Sequence, residues 1–288
     1  MKRLLVILVV IVAIVSVILL LIDAQDDQGI LNKVEKQTTS EKANKVDETE
    51  KEPSEEIVIE EVEEKVKQEE NEEVEEKAKF SIMIDPGHQA KGNYDLEPIG
   101  PNSTEQKPKV ASGTQGVVTN KPEYELTLEV SQLLQEVLEE KGFEVQLTRT
   151  KNEVDVSNIE RAQMANEMEA DLFLRIHADG AESAAAEGFS VLTPGQGNPD
   201  TEKVYEASLT AAEFIVDEVK EIATIHQNGV IFRDDLSGFN WSEVPVNLIE
   251  LGFMTNPEED KKLSDDTYIT NLTNAIADGV EVYLVENK

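Results

Sequence analysis

Short runs rich in β-branched and aromatic residues alternate with helix-like segments throughout residues 80–288, and this alternation most constrains the fold. The strand-like runs are FSIMI (80–84), FEVQLTR (143–149), LFLRI (172–176), GFSVLT (188–193) and VNLIE (246–250). Strands that alternate with helices along a chain build α/β domains, whose right-handed crossovers make neighbouring strands parallel. We therefore predict a single α/β domain with a twisted, largely parallel central sheet flanked by helices.

The helix-like segments have recognisable ends. Residues 122–141 begin with proline at the first helical position and stop at Gly142, and their apolar stripe is Leu126, Val130, Leu133 and Val137. Ser157 and Glu160 form a capping-box signature at the start of a second helix. We expect Asp200 to cap a third helix over residues 201–223, and a fourth to cover residues 265–285.

The sequence of residues 1–24 predicts a transmembrane anchor. Leu4 to Ile22 is an apolar run long enough to cross a hydrocarbon core of roughly 30 Å as a helix. Lys2 and Arg3 precede it and acidic residues follow, so the positive-inside tendency places residues 25–288 outside the cell. The alternative is a cleaved signal peptide, which would leave the protein secreted or in the cell wall.

The composition of residues 25–79 predicts an acidic, disordered linker between the anchor and the domain formed by residues 80–288. This segment is dominated by Glu, Lys, Gln, Ser and Thr and has no aromatic residue, a composition typical of a solvated, self-repelling spacer.

The chain carries a net charge of −34, which argues against a nucleic acid as partner, since phosphate binding requires a basic face. We expect the protein to act as a monomer.

The segment between residues 89 and 121 does not fit a compact scaffold. It is rich in Gly, Pro, Asn and Lys, and it contains no run with the pattern of a strand or helix. Loops longer than about 12 to 15 residues inside a compact domain are usually functional or disordered. Because this segment follows His88 directly, we expect it to be functional.

Three predicted strands end in a side chain suited to metal chemistry. FSIMID leads to His88, LFLRI is followed by His177, and VNLIE ends on Glu250, while Glu123 opens the helix after the long segment. Ligands of open α/β sheets bind at the carboxyl ends of the strands, where these side chains would meet. Two imidazoles and a carboxylate form the ligand set of a catalytic zinc site, and a further carboxylate can act as general base.

Each of these residues also has a purely structural interpretation. A single histidine in a turn or core is more often structural than a ligand, and a glutamate in a first helical turn is already favourable beside the helix dipole. Glu250 is the hardest to explain in this way, because an unpaired carboxylate in an apolar strand is costly to bury. We expect His226, which follows no predicted strand, to be a surface or loop histidine.

The order of these residues and their surroundings resembles the zinc-dependent N-acetylmuramoyl-L-alanine amidases of the Amidase_3 type, which cleave bacterial peptidoglycan. The stretches that carry the resemblance are IMIDPGH, PEYELTLEVS, FEVQLTRT, SNIERAQMAN, LFLRIHAD, RDDLSGFNW and VPVNLIELGFMTNPEEDKKL. The resemblance implies that His88, Glu123 and His177 bind zinc and that Glu250 is the catalytic acid and base. Glu123 is preferred to Glu125 by alignment of the helical motif.

The resemblance has one further consequence, and the sequence departs from the family at one position. Arg233, Asn240 and Trp241 become candidates to line the groove for the glycan and peptide. Many family members have glycine directly after the motif histidine, where this chain has Gln89. Two other functions stay open at this point, a different zinc hydrolase such as a peptidase or deacylase, and a non-catalytic wall-binding module.

Overall fold

The computed structural model describes residues 80–286. The predicted anchor over residues 1–24 and the predicted linker over residues 25–79 lie outside the described residues and stay predictions. Within residues 80–286, no helix combines the length and apolar character that a membrane crossing requires.

The described part of the chain alternates strands and helices as predicted. In chain order the elements are β1 Ser81–Pro86, β2 Asn93–Pro98, β3 Gln106–Val110, α1 Glu123–Glu140, β4 Glu144–Leu147, α2 Asn158–Glu167, β5 Leu172–Asp179, β6 Phe189–Pro194, α3 Tyr205–Val219, β7 Ile225–Arg233, α4 Ser237–Asn240, β8 Val246–Phe253, α5 Pro257–Lys262, α6 Asp266–Glu281 and a π-helical turn Val282–Glu286. All five predicted strands are present, as β1, β4, β5, β6 and β8.

Six strands form the central sheet in the order β4-β1-β5-β8-β6-β7. The strands β4, β1, β5 and β8 are parallel, with His177 of β5 opposite Glu250 of β8. β6 runs antiparallel to β8, and β7 is parallel to β6. The largely parallel sheet is therefore confirmed, and the carboxyl ends of its three central parallel strands lie at one edge.

The core has two parts because side chains of a strand alternate between the faces of the sheet. On one face Ile82 and Leu174 pack with buried residues of α1, α3 and α6. On the other face Met83 and Phe173 pack with Ala162 of α2 and with residues around α4. Helices thus cover both faces, as the α/β prediction requires.

Two predictions at helix ends are confirmed, and one is wrong. Ser157 and Glu160 form a complete capping box, and Gly142 follows α1 with a φ of +87°. The third helix begins at Tyr205 rather than Thr201, and no side chain caps it. Asp200 does not act as a cap, because its carboxylate accepts a hydrogen bond from Asn102 instead (2.8 Å).

The predicted stripe of α1 is displaced along the chain in its second half. Leu126 and Val130 are buried as expected, but Leu134 and Leu138 fill the next turns, and Leu133 is 37% exposed. Both choices fit a helical spacing, and only the packing against the sheet selects one of them.

Sequence reasoning missed three strands. β2 and β3 form an antiparallel hairpin within the segment that we predicted as a loop, and β7 is the edge strand of the sheet. β2 and β3 have mostly polar sequences and several exposed residues, so neither shows an apolar strand pattern. β7 does contain the apolar run Val230, Ile231 and Phe232, which sequence reasoning overlooked. The pairing of β2 and β3, rather than their burial, makes them strands.

Candidate metal centre

His88 lies in the turn after β1, with its imidazole oriented by the backbone. Its φ of +60° is a left-handed conformation that residues other than glycine rarely adopt. Its Nδ1 lies 2.9 Å from the carbonyl oxygen of Ala111. A carbonyl only accepts hydrogen bonds, so Nδ1 carries the proton and the lone pair of Nε2 faces the other two side chains.

His88, Glu123 and His177 bring one ligand atom each to the same point. The Nε2 of His88 lies 3.1 Å from both the Nδ1 of His177 and the Oε1 of Glu123, and His177 Nδ1 lies 3.2 Å from the same Oε1. Within residues 80–286 this is the group of side chains that could hold a metal ion. The three predicted ligands therefore meet, although they come from a turn, a helix and a strand.

Glu123 is the first residue of α1 and is fixed at both oxygens. Its Oε2 accepts a hydrogen bond from the backbone N–H of Thr114 (2.7 Å), and its Oε1 accepts one from Ala178 (3.1 Å). Burial alone would raise the pKa of this carboxyl, but hydrogen bonds and charge interactions with His177 and His88 hold it well below its usual range. The carboxylate form is thus favoured at neutral pH. Glu125 is outside the group.

His177 is held neutral by its surroundings. Burial lowers the pKa of its imidazole to about 4, even though Glu123 acts in the opposite direction. Its Nε2 is buried without a hydrogen-bond partner among the described residues. A neutral imidazole is the form that binds a metal ion.

The donor atoms fit a zinc ion. Two imidazole nitrogens and one carboxylate oxygen are available, and the described residues that line the cleft include no lysine or arginine. Three protein ligands of these types with a further coordination position left open are typical of catalytic zinc sites. The described residues therefore match a zinc site in two respects, the types of donor atom and the short distances between them.

Glu250 lies on β8, directly across from His177, and lines the same cleft of about 640 Å³. Its Oε2 is buried and has no hydrogen-bond partner among residues 80–286. Burial raises the pKa of this carboxyl well above its usual value, and the negative charges of Glu123 and Asp179 raise it further. A carboxyl with these properties is suited to taking up and releasing a proton.

Buried arginines hold the turn that carries His88. Arg161 of α2 is fully buried and donates to the Asp85 carboxylate (2.6 Å), to the Pro86 carbonyl (2.8 Å) and to the His88 carbonyl (3.0 Å). Arg149 donates to the carbonyls of Pro86 (2.9 Å) and Gly87 (3.0 Å). These bonds stabilise the left-handed conformation of His88.

The residue that departs from the family pattern belongs to the same network. Gln89 is 1% exposed, and its Oε1 accepts hydrogen bonds from the Val156 N–H (3.0 Å) and from Arg161 (3.2 Å). Its Nε2 donates to the carbonyl of Lys91 (3.0 Å). The Gln89 side chain therefore connects the His88 turn to the segment before α2.

Sequence reasoning did not identify this arginine network. The signal was present, because Arg175 stands inside the apolar run LFLRI and Asp85 ends the run FSIMID. Charged residues are almost never fully buried unless they are paired. Arg175 and Asp85 are in fact paired (2.9 Å), so two charges at neighbouring strand positions could have indicated a buried ion pair.

The three groove candidates lie apart from the cleft lining. Arg233 forms a two-point ion pair with Asp235 and is near enough to Glu250 to act on its pKa. Asn240 is buried, and Trp241 donates its indole N–H to the carbonyl of Pro98 (3.0 Å). Both line a separate cleft of about 590 Å³. Their contact with substrate stays a prediction.

His226 is not part of the group. It lies within β7 rather than in a loop, is partly exposed, and its Nδ1 lies 2.9 Å from the carbonyl oxygen of Glu187. The prediction that His226 is not a ligand is consistent with this position.

The sheet and the three converging side chains define a class, an α/β domain with the donor set of a metal-dependent hydrolase. A family model described as N-acetylmuramoyl-L-alanine amidase, Amidase_3, matches residues 82–282. The chain belongs to the Amidase_3 family of N-acetylmuramoyl-L-alanine amidases, enzymes that hydrolyse the amide bond between N-acetylmuramic acid and L-alanine in peptidoglycan.

Individual relatives agree with the family. The N-acetylmuramoyl-L-alanine amidase Rv3717 of Mycobacterium tuberculosis is 30% identical, over 70% of this chain and 86% of the relative. AmiA of Salmonella typhimurium is 24% identical, over 72% and 76% of the two chains. The crystal structure of the amidase Ami1 from Mycobacterium smegmatis superimposes with a TM-score of 0.67 at 26% identity and covers 73% of this chain and 99% of that one.

Proposed function

We propose that this chain is a zinc-dependent N-acetylmuramoyl-L-alanine amidase in which His88, Glu123 and His177 hold the metal and Glu250 transfers the proton. The observation that carries this proposal is the meeting of three ligand atoms beside the Glu250 carboxyl, whose buried Oε2 has no hydrogen-bond partner among the described residues. The family of the chain supports the choice of bond, because the donor set by itself suits many hydrolases.

The bound zinc would supply a Lewis acid that polarises the lactyl carbonyl of N-acetylmuramic acid and lowers the pKa of water towards neutrality. Glu250 would accept the proton of the attacking water and then give it to the departing nitrogen of L-alanine. Burial raises the pKa of this carboxyl, so a proton taken from water can be held there and passed on to the nitrogen.

The remaining residues of the cleft position these groups. The Ala111 carbonyl keeps the Nε2 lone pair of His88 directed at the centre, and the Thr114 and Ala178 N–H groups hold the Glu123 carboxylate. Preorganised ligands bind a metal without a further loss of side-chain freedom.

The test is digestion of purified peptidoglycan by the full chain, with products identified by mass spectrometry and bound metal by elemental analysis. We expect free stem peptides that begin at L-alanine, and about one zinc ion per chain. His88→Ala should lose both zinc and activity. His226→Ala is the matched control and should keep both, because His226 is outside the group.

Other products would contradict the proposal. Cuts within the peptide would indicate a peptidase, and loss of an acetyl group would indicate a deacylase. Binding to peptidoglycan without cleavage would indicate a wall-binding module.

We also propose that residues 1–24 anchor the protein in the cell membrane as a single-pass helix, with residues 80–288 outside. The apolar run and the preceding Lys2 and Arg3 support this proposal. Protease added to intact protoplasts should then digest the catalytic domain while the N-terminal segment stays with the membrane fraction. Protein in the culture medium that begins after residue 24 would instead indicate a cleaved signal peptide.

A further inference from the structure

A single tyrosine stands at the mouth of the catalytic cleft. Tyr94 lies on β2 and is 63% exposed, and it lines the cleft together with His88, His177 and Glu250. Among the described residues that line this cleft it has the only phenyl ring. The others are small residues, acidic residues, threonines and the metal-centre side chains, so Tyr94 provides the flat apolar surface of the cleft.

The ring is held in place rather than free to move with the hairpin. The hydroxyl oxygen of Tyr94 lies 2.6 Å from the Oγ of Ser112, which is one residue beyond the Ala111 carbonyl that orients His88. A methyl group at Gly92 would lie only 3.1 Å from Cε2 of the ring, so the backbone at Gly92 packs closely against the ring edge. The ring is thus fixed at its hydroxyl and edge while most of its surface stays exposed.

Single exposed aromatic rings are common on protein surfaces, but this ring is fixed within the lining of the cleft that holds the metal centre. Burial of its apolar face in a complex would be favourable. The substrate would bury the ring if one of its apolar surfaces packed against it. The substrate of this family has a sugar ring on one side of the scissile amide and a peptide on the other. A pyranose has a flat face of C–H groups that packs on an aromatic face, whereas the stem peptide offers amides and carboxylates.

We propose that Tyr94 is a substrate-binding residue that stacks on a pyranose ring of the glycan strand and so places the scissile amide at the metal centre. This inference rests on the proposed function and adds the part of the substrate that Tyr94 contacts. The hairpin β2–β3 then acts as the glycan-binding rim of the cleft. Tyr94 makes no contact with the reacting atoms and contributes to binding rather than to bond cleavage.

Two soluble substrates test the proposal with the full-length zinc-loaded chain. One is an N-acetylmuramoyl-peptide, and the other is the matching lactoyl-peptide, which keeps the scissile amide but lacks the sugar ring. For Tyr94→Ala we expect a roughly tenfold higher KM for the first substrate and an unchanged kcat, because stacking binds ground state and transition state alike. The kinetics on the lactoyl-peptide should not change.

Two further variants separate stacking from other effects. Tyr94→Phe keeps the ring and loses the hydroxyl bond to Ser112, so it should keep most of the affinity. Leu96→Ala is the matched control, because Leu96 is 59% exposed on the same strand but does not line the cleft. It should behave as the wild type on both substrates.

A binding measurement makes the proposal independent of catalysis. Calorimetric titration with a peptide-free glycan fragment should give a roughly tenfold weaker Kd for Tyr94→Ala than for Leu96→Ala. Equal affinities, or an equal loss of activity on the sugar and sugar-free substrates, would overturn the role of Tyr94. Failure of the wild type to release stem peptides would overturn the proposed function instead, and the glycan titration would still decide the role of Tyr94.

Discussion

Two of the three proposed ligand side chains, those of His88 and Glu123, divide their hydrogen-bonding capacity between the scaffold and the cleft. His88 uses Nδ1 to donate to Ala111 and keeps Nε2 for the centre, and Glu123 uses Oε2 to accept from Thr114. Glu250 differs, because its Oε2 has no partner among the described residues. The side chains of His88 and Glu123 are therefore held in place to bind an ion, whereas the Glu250 carboxyl is suited to exchange a proton.

Replacing Glu250 tests the proton-transfer role. Glu250→Gln keeps the size of the side chain but removes the basic carboxylate, so we expect activity to fall by roughly two to four orders of magnitude. Zinc content should be unchanged, because Glu250 is not one of the three ligand residues. Full activity with zinc bound would show that another group takes the proton.

Asp85 should make the stability of the domain depend on pH. Burial alone would raise the pKa of its carboxyl, but Arg161, Arg175 and the Thr148 hydroxyl hold it well below its usual value of 3.8. A carboxyl with a depressed pKa in the folded state stabilises that state above its unfolded pKa, and this contribution is lost as the pH falls towards the folded pKa.

Asp85→Asn tests this pH dependence. We expect the variant to be less stable than the wild type by about 3 kcal/mol at neutral pH, because two buried arginines lose their carboxylate partner. The difference should narrow below about pH 4, where the wild-type carboxylate begins to lose its advantage. Urea unfolding followed by circular dichroism at several pH values measures the difference in unfolding free energy between the wild type and the variant. A difference that does not change with pH would show that Asp85 is not the source of the pH dependence.

Individual elements bring the ligand side chains to one edge of the sheet. β1 and β5 are adjacent and parallel, so His88 and His177 follow neighbouring strand ends. Helix α1 begins at the same edge and contributes Glu123 in its first position. Helix α2 stabilises the His88 turn, because its Arg161 donates a hydrogen bond to the His88 carbonyl. The capping box fixes where this helix begins.

Removing the α2 cap should affect stability and leave catalysis intact. In Ser157→Ala the Glu160 N–H loses its side-chain acceptor, which should cost about 1 kcal/mol of unfolding free energy. Ser264→Ala is the control, because Ser264 is exposed and should change stability by less than about 0.5 kcal/mol. Chemical denaturation measures both, and equal stabilities would show that the cap contributes little. The rate on peptidoglycan should be unchanged, since Arg161 keeps its backbone hydrogen bond to the Ser157 carbonyl (3.1 Å) and its side-chain bonds to the His88 turn.

For the whole molecule, zinc would connect parts of the chain that are far apart in sequence. The proposed ligands lie at positions 88, 123 and 177 and belong to a turn, a helix and a strand. A ligand that binds only the folded state stabilises that state by mass action, by about 2.7 kcal/mol when its free concentration is a hundred times its Kd. The metal centre should therefore contribute to stability as well as to catalysis.

Chelation tests this contribution. Removing zinc from the full chain should lower Tm by roughly 5 to 10 °C, from the usual relation between free energy and Tm for a domain of this size. Scanning calorimetry with and without chelator measures the change. Glu250→Gln should keep the shift and His88→Ala should lose it, and an equal shift in His88→Ala would exclude this site as the stabilising one.

Much of the fold was readable in the sequence because its signals are local. The runs of β1 and β5, the capping box at Ser157 and the stop at Gly142 depend on residues a few positions apart. The polar strands β2 and β3 gave no such signal, and neither did the reversed direction of β6. Strand pairing and direction depend on partners distant in the chain, so apolar patterns do not record them.

The sequence by itself determined the chemical types of the metal centre and the strand ends that present them, because those follow from residue identity and local pattern. Only the tertiary structure decided that His88 Nε2 and His177 Nδ1 lie 3.1 Å apart, and that Asn240 and Trp241 line a different cleft. It also placed the Arg161 guanidinium within hydrogen-bonding distance of the His88 carbonyl (3.0 Å). Such distances result from the packing of many side chains at once, and spacing along the chain does not specify them.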